Sequence, residues 1–351
     1  MKIPVTRTKR HHLYNNMEMI QKMKTSTTLA LPLLIIGLLL GCGPQRDVEE
    51  SVENSHLKMK DWFLSAGDWE TDPQLYVREF GAGKDTIIVL HGGWGAEHSG
   101  LVTAVKDLGK DFHFFFYEQR GSLRSPFPDS LITFDHHIED LELLRKELKL
   151  DQMTLAGHSM GGVLASAYAH RYPEHIKKLV LLAPARLREP LPETDKELQH
   201  QEYLASVAYR NRPETEEELD KYGLNRKSPP LSSKEETMKY RINMGKLMLS
   251  DISKWPQMTG GRALYKAHVY GLTEKSYPPD GWDFIAEFRK RDYPVVIISG
   301  NHDWLAFGNL LNKKWTSDIP HMVFHEIDNA GHLLWIDQAD ELTRALRQHL
   351  K

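Results

Sequence analysis

The feature that most constrains this chain is a serine between two glycines, in the stretch Gly-His-Ser-Met-Gly at residues 157–161. An apolar run, 153–156, precedes it, and a helical pattern of small residues, 163–170, follows it. The order strand, sharp turn, helix holds a serine on strained backbone with its hydroxyl exposed, and the glycines let neighbouring backbone pass close. The stretch therefore matches the Gly-x-Ser-x-Gly nucleophile elbow. Because the pattern is short, partners elsewhere in the chain must decide whether it is functional.

Composition sets the broad class. The chain has 351 residues, of which 40% are hydrophobic, so it can bury a core of one large domain or of a domain with an insertion. Its formal net charge of -3 gives no general attraction to nucleic acid, and we predict no nucleic-acid partner. The 18 histidines are scattered rather than spaced as ligands, so we predict no metal and no organic cofactor.

The N-terminus carries an apolar run at residues 29–40. The run is too short to cross a bilayer comfortably but suits the apolar region of a signal peptide. It ends in Leu-Leu-Gly-Cys at Cys42, the single cysteine, which resembles the lipobox of bacterial lipoproteins. That resemblance implies a signal peptide over residues 1–41, a lipid anchor at Cys42 and a location in the bacterial cell envelope. A buried core helix with an incidental cysteine is the alternative.

The first residues fit poorly as the beginning of a signal peptide. A start at Met23 would leave a compact Met-Lys-Thr-Ser-Thr-Thr segment before the apolar run. We hypothesise that translation begins there, which N-terminal mapping of the unprocessed product tests. Beyond the cysteine, residues 42–72 are mostly polar and are interpreted as a tether.

The remaining chain alternates short apolar runs with amphipathic segments, which is typical of a parallel sheet flanked by helices. Strands are predicted at 75–80, 86–90, 111–117, 153–156, 176–182, 294–299 and 322–327. Between 186 and 289 the chain is charged and helical in tendency, and it lacks a buried strand of the 86–90 kind. We therefore predict an α/β fold with a mostly parallel central sheet. Its core comprises 73–185 and 290–351, and 186–289 form an inserted helical lid.

Three reactive groups follow predicted strands, in the order Ser159, Asp303 and His332. A serine hydroxyl is a poor nucleophile at neutral pH, so a histidine must take its proton and an acid must orient that histidine. We predict Ser159 as the nucleophile, His332 as the general base and then acid, and Asp303 as the orienting carboxylate. Asp328 is the alternative acid, but it shares a short loop with His332 and is poorly placed to reach the imidazole.

A glycine-rich loop, His-Gly-Gly-Trp-Gly, follows the buried strand 86–90 and occupies residues 91–95. Such a loop supplies one backbone N–H of an oxyanion hole, and the residue after the nucleophile supplies the other. These donors would be Gly93 and Met160. Taken singly, each of these features has a structural explanation, such as turn chemistry or helix capping. Their joint position at strand ends favours an assembled site.

These residues resemble the α/β-hydrolase superfamily, and more narrowly its proline-iminopeptidase-like serine hydrolases. The resemblance covers about 75–184 and 293–351 and is weak across the lid. The group's His-Gly-Gly-Pro-Gly motif is matched at 91–95 except at Trp94, which we expect to contact substrate.

A second motif of that group, Asp-Gln-Arg-Gly-x-Gly-x-Ser, is matched at 118–125. Glu118 and Leu123 depart from it. We interpret Glu118 and Arg120 as bracing the loop beside the site rather than as performing chemistry.

The resemblance implies a serine hydrolase that cleaves an ester or amide of a small molecule or short peptide through an acyl-enzyme. Aminopeptidases of this group often carry Trp after the serine and a Trp-x-x-Trp-Glu lid motif, whereas this chain has Met160 and no such motif. An aminopeptidase is favoured only by the Gln-Arg-Gly loop. A carboxylesterase or lipase-like enzyme and a carbon-carbon-bond hydrolase remain alternatives. Two alternatives from other classes also remain: a non-catalytic binding protein of the same fold and a metal-dependent hydrolase.

Overall fold

The computed structural model describes residues 60–305 and 309–351. The predicted signal peptide, Cys42 and most of the predicted tether lie outside these residues. Within the two described ranges, no helix combines the length and the apolar character needed to cross a membrane.

One eight-stranded sheet organises the described chain. Including a separate two-stranded pair, the strands are β1 (Asp61–Ser65), β2 (Gln74–Gly81), β3 (Asp85–Leu90), β4 (Phe112–Tyr117), β5 (Met153–His158), β6 (Ile176–Leu182), β7 (Arg188–Glu189), β8 (Trp282–Asp283), β9 (Val295–Gly300) and β10 (Met322–Ile327). The sheet order is β1-β2-β4-β3-β5-β6-β9-β10. The contacts of β2 with β1 and β4 are antiparallel, and every pairing from β4 through β3 to β10 is parallel. The predicted mostly parallel sheet is confirmed.

Side chains of the central strands are buried on both faces of the sheet. On β3, Ile88 and Leu90 belong to one hydrophobic cluster, while Ile87 and Val89 belong to the other. Successive strand residues point to opposite faces, so a strand covered on both sides needs an uninterrupted apolar run. This explains why the parallel strands are visible in the sequence.

Helices cover both faces of the sheet. They are α1 (Ser99–Val105), α2 (Phe134–Glu147), α3 (Met160–Arg171), α4 (Lys196–Arg210), α5 (Glu214–Lys221), α6 (Ser233–Met248), α7 (Ala267–Lys275), α8 (Phe284–Phe288), α9 (Asn309–Thr316), α10 (Leu334–Asp337) and α11 (Ala339–Leu350). The buried side chains of α2 and α3 join one cluster, and those of α1 and α11 join the other. The core is therefore a three-layer sandwich.

The predicted lid contains α4 to α7 and a short β-ladder at its base. In that ladder, β7 pairs antiparallel with β8, which joins the point where the chain leaves the core to the point where it returns. Phe284 and Phe288 of α8 belong to the same hydrophobic cluster as α2 and α3, and so does Val269 of the lid. Residues 284–288 therefore pack where the lid meets the core.

The predicted tether over 42–72 is also corrected at its C-terminal end. Residues 61–65 form β1, the edge strand paired antiparallel with β2. Cross-strand side chains hold this strand: Trp62 Nε1 donates to Glu79 Oε1 at 2.8 Å, and Arg78 Nε donates to Asp61 Oδ1 at 2.7 Å. Such cross-strand pairs add to the burial of Leu64, which belongs to the core cluster.

Candidate active site

Ser159 stands on strained backbone between β5 and α3. Its φ of 53° and ψ of -118° are unfavourable for a residue with a side chain. The turn also brings α3 against the end of β3. A Cβ atom at Gly161 would lie 2.4 Å from the Leu90 carbonyl oxygen, so only glycine fits there. The predicted elbow is therefore present as a conformation as well as a pattern.

His332 and Asp303 form a buried hydrogen-bonded pair. The distance between His332 Nδ1 and Asp303 Oδ2 is 3.0 Å, and both side chains are almost fully buried. Because a carboxylate oxygen accepts, Nδ1 carries the proton and Nε2 is left free to accept one. Asp303 is further oriented because its Oδ1 accepts from the Leu305 amide at 3.2 Å. Ser159 and His332 line the same cavity.

The alternative acid, Asp328, is engaged elsewhere. Its carboxylate is exposed and accepts from Asn301 Nδ2 at 3.0 Å. That contact ties the loop after β9 to the loop after β10. It leaves Asp303 as the carboxylate that contacts the His332 imidazole.

The glycine-rich loop passes directly beside Ser159. A Cβ atom at Gly92 would lie 2.7 Å from Ser159 Cβ, and Gly93 has a φ of +67°. Met160 is the first residue of α3, where a helix has no acceptor of its own for backbone amides. Gly93 and Met160 line the cavity together with Ser159.

His91 fixes the beginning of this loop. Its Nε2 accepts from the Gln119 amide at 3.1 Å, so Nδ1 carries the proton and faces the Gly92 carbonyl at 3.2 Å. Gln119 Nε2 returns a hydrogen bond to the His91 carbonyl at 2.8 Å. Burial lowers the pKa of His91 from 6.5 to about 4. The Gln-Arg-Gly motif thus holds the glycine-rich loop through a neutral histidine.

This pKa predicts a measurable contribution to acid sensitivity. Because the folded-state pKa is depressed, the folded protein binds fewer protons than the unfolded chain between pH 6.5 and about 4. The contribution of neutral His91 to the free energy of unfolding is complete above pH 6.5. It is lost as the pH falls from 6.5 to about 4. Relative to His91→Gln, the wild type should lose up to about 1.4 kcal/mol more of its unfolding free energy per pH unit. Denaturant titrations from pH 7.5 to 4.5 measure this slope.

The exposed His200→Gln provides the matched control and should keep the wild-type slope. Equal slopes for the wild type and His91→Gln would contradict a neutral, buried His91.

Glu118 and Arg120 brace the loops as predicted, but through different partners. Arg120 Nε donates to Asp140 Oδ2 at 2.7 Å inside the core. Burial raises the pKa of Asp140 to about 6, although the adjacent Arg120 opposes the shift. Glu118 instead accepts from the Arg124 amide at 2.6 Å and contacts His98 Nδ1 at 3.0 Å.

Potential metal ligands do cluster beside this brace. One ligand atom each from Glu97, His98 and Glu118 lie within 4.8 Å of one another. The carboxylates already have partners, since Arg124 pairs with Glu118 and its guanidinium lies 3.8 Å from Glu97. Glu97 also accepts from the Ser99 amide at 2.9 Å. We interpret the cluster as structural.

Two residues that support His332 were not singled out from the sequence. His158 Nε2 donates to the His332 carbonyl at 3.1 Å, and their ring centroids lie 4.6 Å apart. Burial holds the pKa of His158 well below its usual value, so it supports His332 as a neutral ring. Its position inside the elbow motif was the available signal.

Asp337 is the second of these residues, and it joins the His332 loop to the lid. Its buried carboxylate accepts from the Gly331 amide at 2.8 Å, the Ser250 amide at 2.7 Å and the Asp251 amide at 3.2 Å. Burial raises the pKa of this carboxyl group. Its partner Ser250 is 87 positions away in the chain, and no local pattern marks the contact.

The expected substrate contact of Trp94 is wrong for its side chain. Trp94 is fully buried, with 0% exposure, and its ring stacks on His137 at a centroid distance of 4.7 Å. Its Nε1 donates to Tyr277 Oη at 2.6 Å. The indole thus lies between the core and the lid, behind the cavity wall.

A cavity of about 1220 Å³ opens above Ser159 between the core and the lid. It is larger than the roughly 300–1,000 Å³ of typical ligand pockets. Its wall is largely apolar and aromatic, with methionines and tyrosines prominent: Met160, Met244, Met248, Met258, Tyr240, Tyr265, Tyr270 and Tyr277. Five charged residues also line it: Glu97, Arg186, Glu189, Glu274 and Asp280.

A strained elbow serine, a histidine–carboxylate pair at the ends of parallel strands and a helical lid over a cavity define the class of α/β hydrolases. A family model described as alpha/beta hydrolase fold matches residues 85–339. Because this match covers most of the chain, the protein belongs to the α/β-hydrolase fold family.

Relatives in this family carry several names. The chain is 26% identical to the Abhydrolase domain-containing protein abhd-5.2 of Caenorhabditis elegans over 76% of its own length, and the match spans only 59% of that relative. It is 28% identical to a proline iminopeptidase of Lactobacillus acidophilus, over 76% of this chain and 90% of the relative.

Solved structures agree in fold. A proline iminopeptidase-related protein from Thermus thermophilus superimposes with a TM-score of 0.57 at 22% identity, over 83% of this chain and 99% of that one. An esterase from Thermogutta terrifontis superimposes with a TM-score of 0.55 at 20% identity, over 83% of this chain and 97% of that one. At these identities the likeness concerns the fold alone.

Proposed function

We propose that the protein is a serine hydrolase that cleaves an ester or amide bond through an acyl-enzyme. The observation that carries this proposal is the buried hydrogen bond from His332 to Asp303, together with an elbow serine that lines the same cavity as His332. Because Nδ1 donates to Asp303, His332 Nε2 is the ring nitrogen that remains to take the serine proton in this mechanism.

The proposed steps use only these side chains. Ser159 Oγ attacks the carbonyl carbon while His332 Nε2 takes its proton, and Asp303 stabilises the imidazolium that forms. The Gly93 and Met160 amides stabilise the oxyanion. His332 then gives the proton to the leaving group as the acyl-enzyme forms. A water molecule, deprotonated by His332, then attacks the acyl carbon. The bond to Ser159 Oγ breaks, His332 returns the proton to that oxygen, and the acid is released.

For the substrate we propose an apolar aminoacyl amide or short peptide with a free amine. Four carboxylates and one guanidinium line the cavity, so its charge favours a cation. Glu189 is paired with Arg186, and Glu97 lies 3.8 Å from Arg124. Within the described residues, Glu274 and Asp280 line the cavity without an ion-pair partner. Of these two, Glu274 is the one whose charge acts on Tyr270 and Tyr277, which also line the cavity. The tyrosine rings nearby offer faces on which a cation is favoured.

A substrate panel tests this assignment. Prolyl and other aminoacyl amides with a free amine should be cleaved with a higher kcat/KM than their N-acetylated forms, by roughly 10- to 100-fold if one charge-assisted hydrogen bond is lost. Glu274→Gln should remove most of that difference and leave short-chain esters unaffected. Glu236→Gln changes an exposed lid carboxylate outside the cavity and provides the matched control. Better cleavage of esters than of every free-amine amide would overturn the assignment.

A carboxylesterase is the second candidate. The observation that favours it is the methionine-rich wall and the large cavity volume, since flexible thioether side chains adapt to varied apolar acyl groups. In the same panel this candidate predicts ester cleavage that is insensitive to N-acetylation and to Glu274→Gln.

We also propose that the enzyme is held in a bacterial cell envelope by a lipid at Cys42. The support is the apolar run followed by Leu-Leu-Gly-Cys in the sequence. The wild type should incorporate radiolabelled palmitate and partition into detergent, whereas Cys42→Ser should do neither. Ser317→Ala changes an exposed residue far from Cys42 in sequence and should behave as the wild type. An unlabelled wild type that remains aqueous would contradict the anchor.

A further inference from the structure

The glycine-rich loop is joined to the lid by main-chain contact. The Lys266 amide at the start of α7 donates to the Gly95 carbonyl at 2.9 Å. Gly95 has a φ of +84°, and a Cβ atom there would lie 2.4 Å from the Lys266 carbonyl oxygen. Only glycine allows the two backbones to approach in this way. The lid segment over 265–277 therefore rests directly on the loop that carries Gly93.

Trp94 adds a side-chain link at the same place. Its indole N–H donates to Tyr277 Oη at 2.6 Å, across 183 positions of the chain. The ring is held flat against His137, with 20° between the ring planes, and edge-on to Phe134 at 6.0 Å. The hydrogen bond thus joins a fixed core side chain to a lid side chain that lines the cavity.

His137 makes a parallel contact from the core to the lid. Thr273 of α7 donates its hydroxyl proton to the Val269 carbonyl at 3.0 Å, so its oxygen accepts from His137 Nε2 at 3.1 Å. Burial lowers the pKa of His137 well below its usual value, so the ring is neutral and donates through Nε2. The His137 ring, against which Trp94 stacks, is therefore itself hydrogen-bonded to the lid.

Burial raises the pKa of Tyr277, which keeps its hydroxyl protonated. The hydroxyl oxygen accepts from Trp94, and Tyr277 also lines the cavity. Nothing in the serine chemistry itself requires this hydroxyl. The hydroxyl lies where the glycine-rich loop meets the lid beside the cavity, which favours a structural role in holding the loop.

We propose that Trp94 is a positioning residue: through its hydrogen bond to Tyr277 it couples the seated position of the lid to the placement of the adjacent Gly93 amide. This inference rests on the proposed function, in which Gly93 is an oxyanion donor. Oxyanion donors act only within about 2.7–3.1 Å of the developing charge, and a displacement of about 1 Å can cost 100-fold in rate. The glycine-rich loop is hydrogen-bonded to Tyr277 of the lid, so the Gly93 amide is correctly placed only when the lid is packed against this loop.

The test measures how fast a fluorophosphonate labels Ser159, because phosphonylation also develops an oxyanion in this site. Trp94→Phe keeps a ring against His137 but loses the donor, and Tyr277→Phe loses the acceptor. Each variant should label roughly tenfold more slowly than the wild type. The Trp94→Phe/Tyr277→Phe double variant should be no slower than either single variant, because all three lack the same bond. On a cleaved substrate the loss should fall on kcat, with KM little changed.

Trp69→Phe and Tyr203→Phe replace exposed residues of the same types and should label at the wild-type rate. Unfolding midpoints of all variants separate a loss of fold from a loss of placement. Unchanged labelling in Trp94→Phe, or a double variant slowed by the product of the single effects, would overturn the coupling while leaving the proposed function intact. A folded wild type that is not labelled at Ser159 would overturn both.

Discussion

Ser159→Ala is expected to lower kcat by roughly 10⁵- to 10⁶-fold on any substrate that the wild type cleaves. The substitution removes the only atom that forms the acyl bond in the proposed mechanism. Alanine occupies the same backbone without a new contact, so the fold should be retained. Steady-state turnover and the thermal unfolding midpoint, measured on the same preparation, check both parts of this prediction.

Ser317→Ala is the matched control, because Ser317 is exposed and lies away from the cavity. It should retain wild-type turnover. Turnover by a folded Ser159→Ala variant within tenfold of the wild type would rule out Ser159 as the nucleophile.

Asp303→Asn is expected to lower kcat by about 10⁴-fold. The amide has nearly the shape of the carboxylate, so packing around His332 is preserved. It lacks the negative charge that stabilises the imidazolium, and its NH2 group can donate to Nδ1 and so favour the wrong tautomer. The kcat measured on the same substrate as for Ser159→Ala checks the size of the loss.

Asp328→Asn gives the comparison that decides whether Asp303 or Asp328 is the orienting acid. Its carboxylate is exposed and contacts Asn301 rather than His332. The change should therefore alter kcat by less than about threefold, in line with a surface substitution. The opposite ranking of Asp303→Asn and Asp328→Asn would contradict the observed pair.

The parts of the fold that the sequence predicts best are those whose environment is uniform. The strands predicted at 176–182 and 322–327 have the bounds of β6 and β10. Strand β6 is buried on both faces over most of its length, so its apolar run is continuous. The edge strand at 61–65 is not predicted, because only Leu64 of its five residues is buried and the segment has no continuous buried apolar run.

Site residues are likewise predicted well where the pattern is local and poorly where the partner is remote. Ser159 and His332 were identifiable because an elbow and a histidine after a strand are local patterns. The pairing of His332 with Asp303 was predicted from chain order, and the geometry is consistent with it. The substrate contact of Trp94 is predicted from its place in the glycine-rich loop, and no local pattern reveals its actual partner, Tyr277, which is remote in sequence. Asp337 was missed for the same reason, since its lid partners are more than 80 positions away.

The most direct test of the account is to identify the residue that reacts with a fluorophosphonate. Intact mass should reveal one adduct per folded chain, and peptide mapping should place it on Ser159. The adduct should be absent from Ser159→Ala and from heat-unfolded wild type. An adduct on another residue, or none on a folded protein that still cleaves its substrate, would contradict Ser159 as the nucleophile.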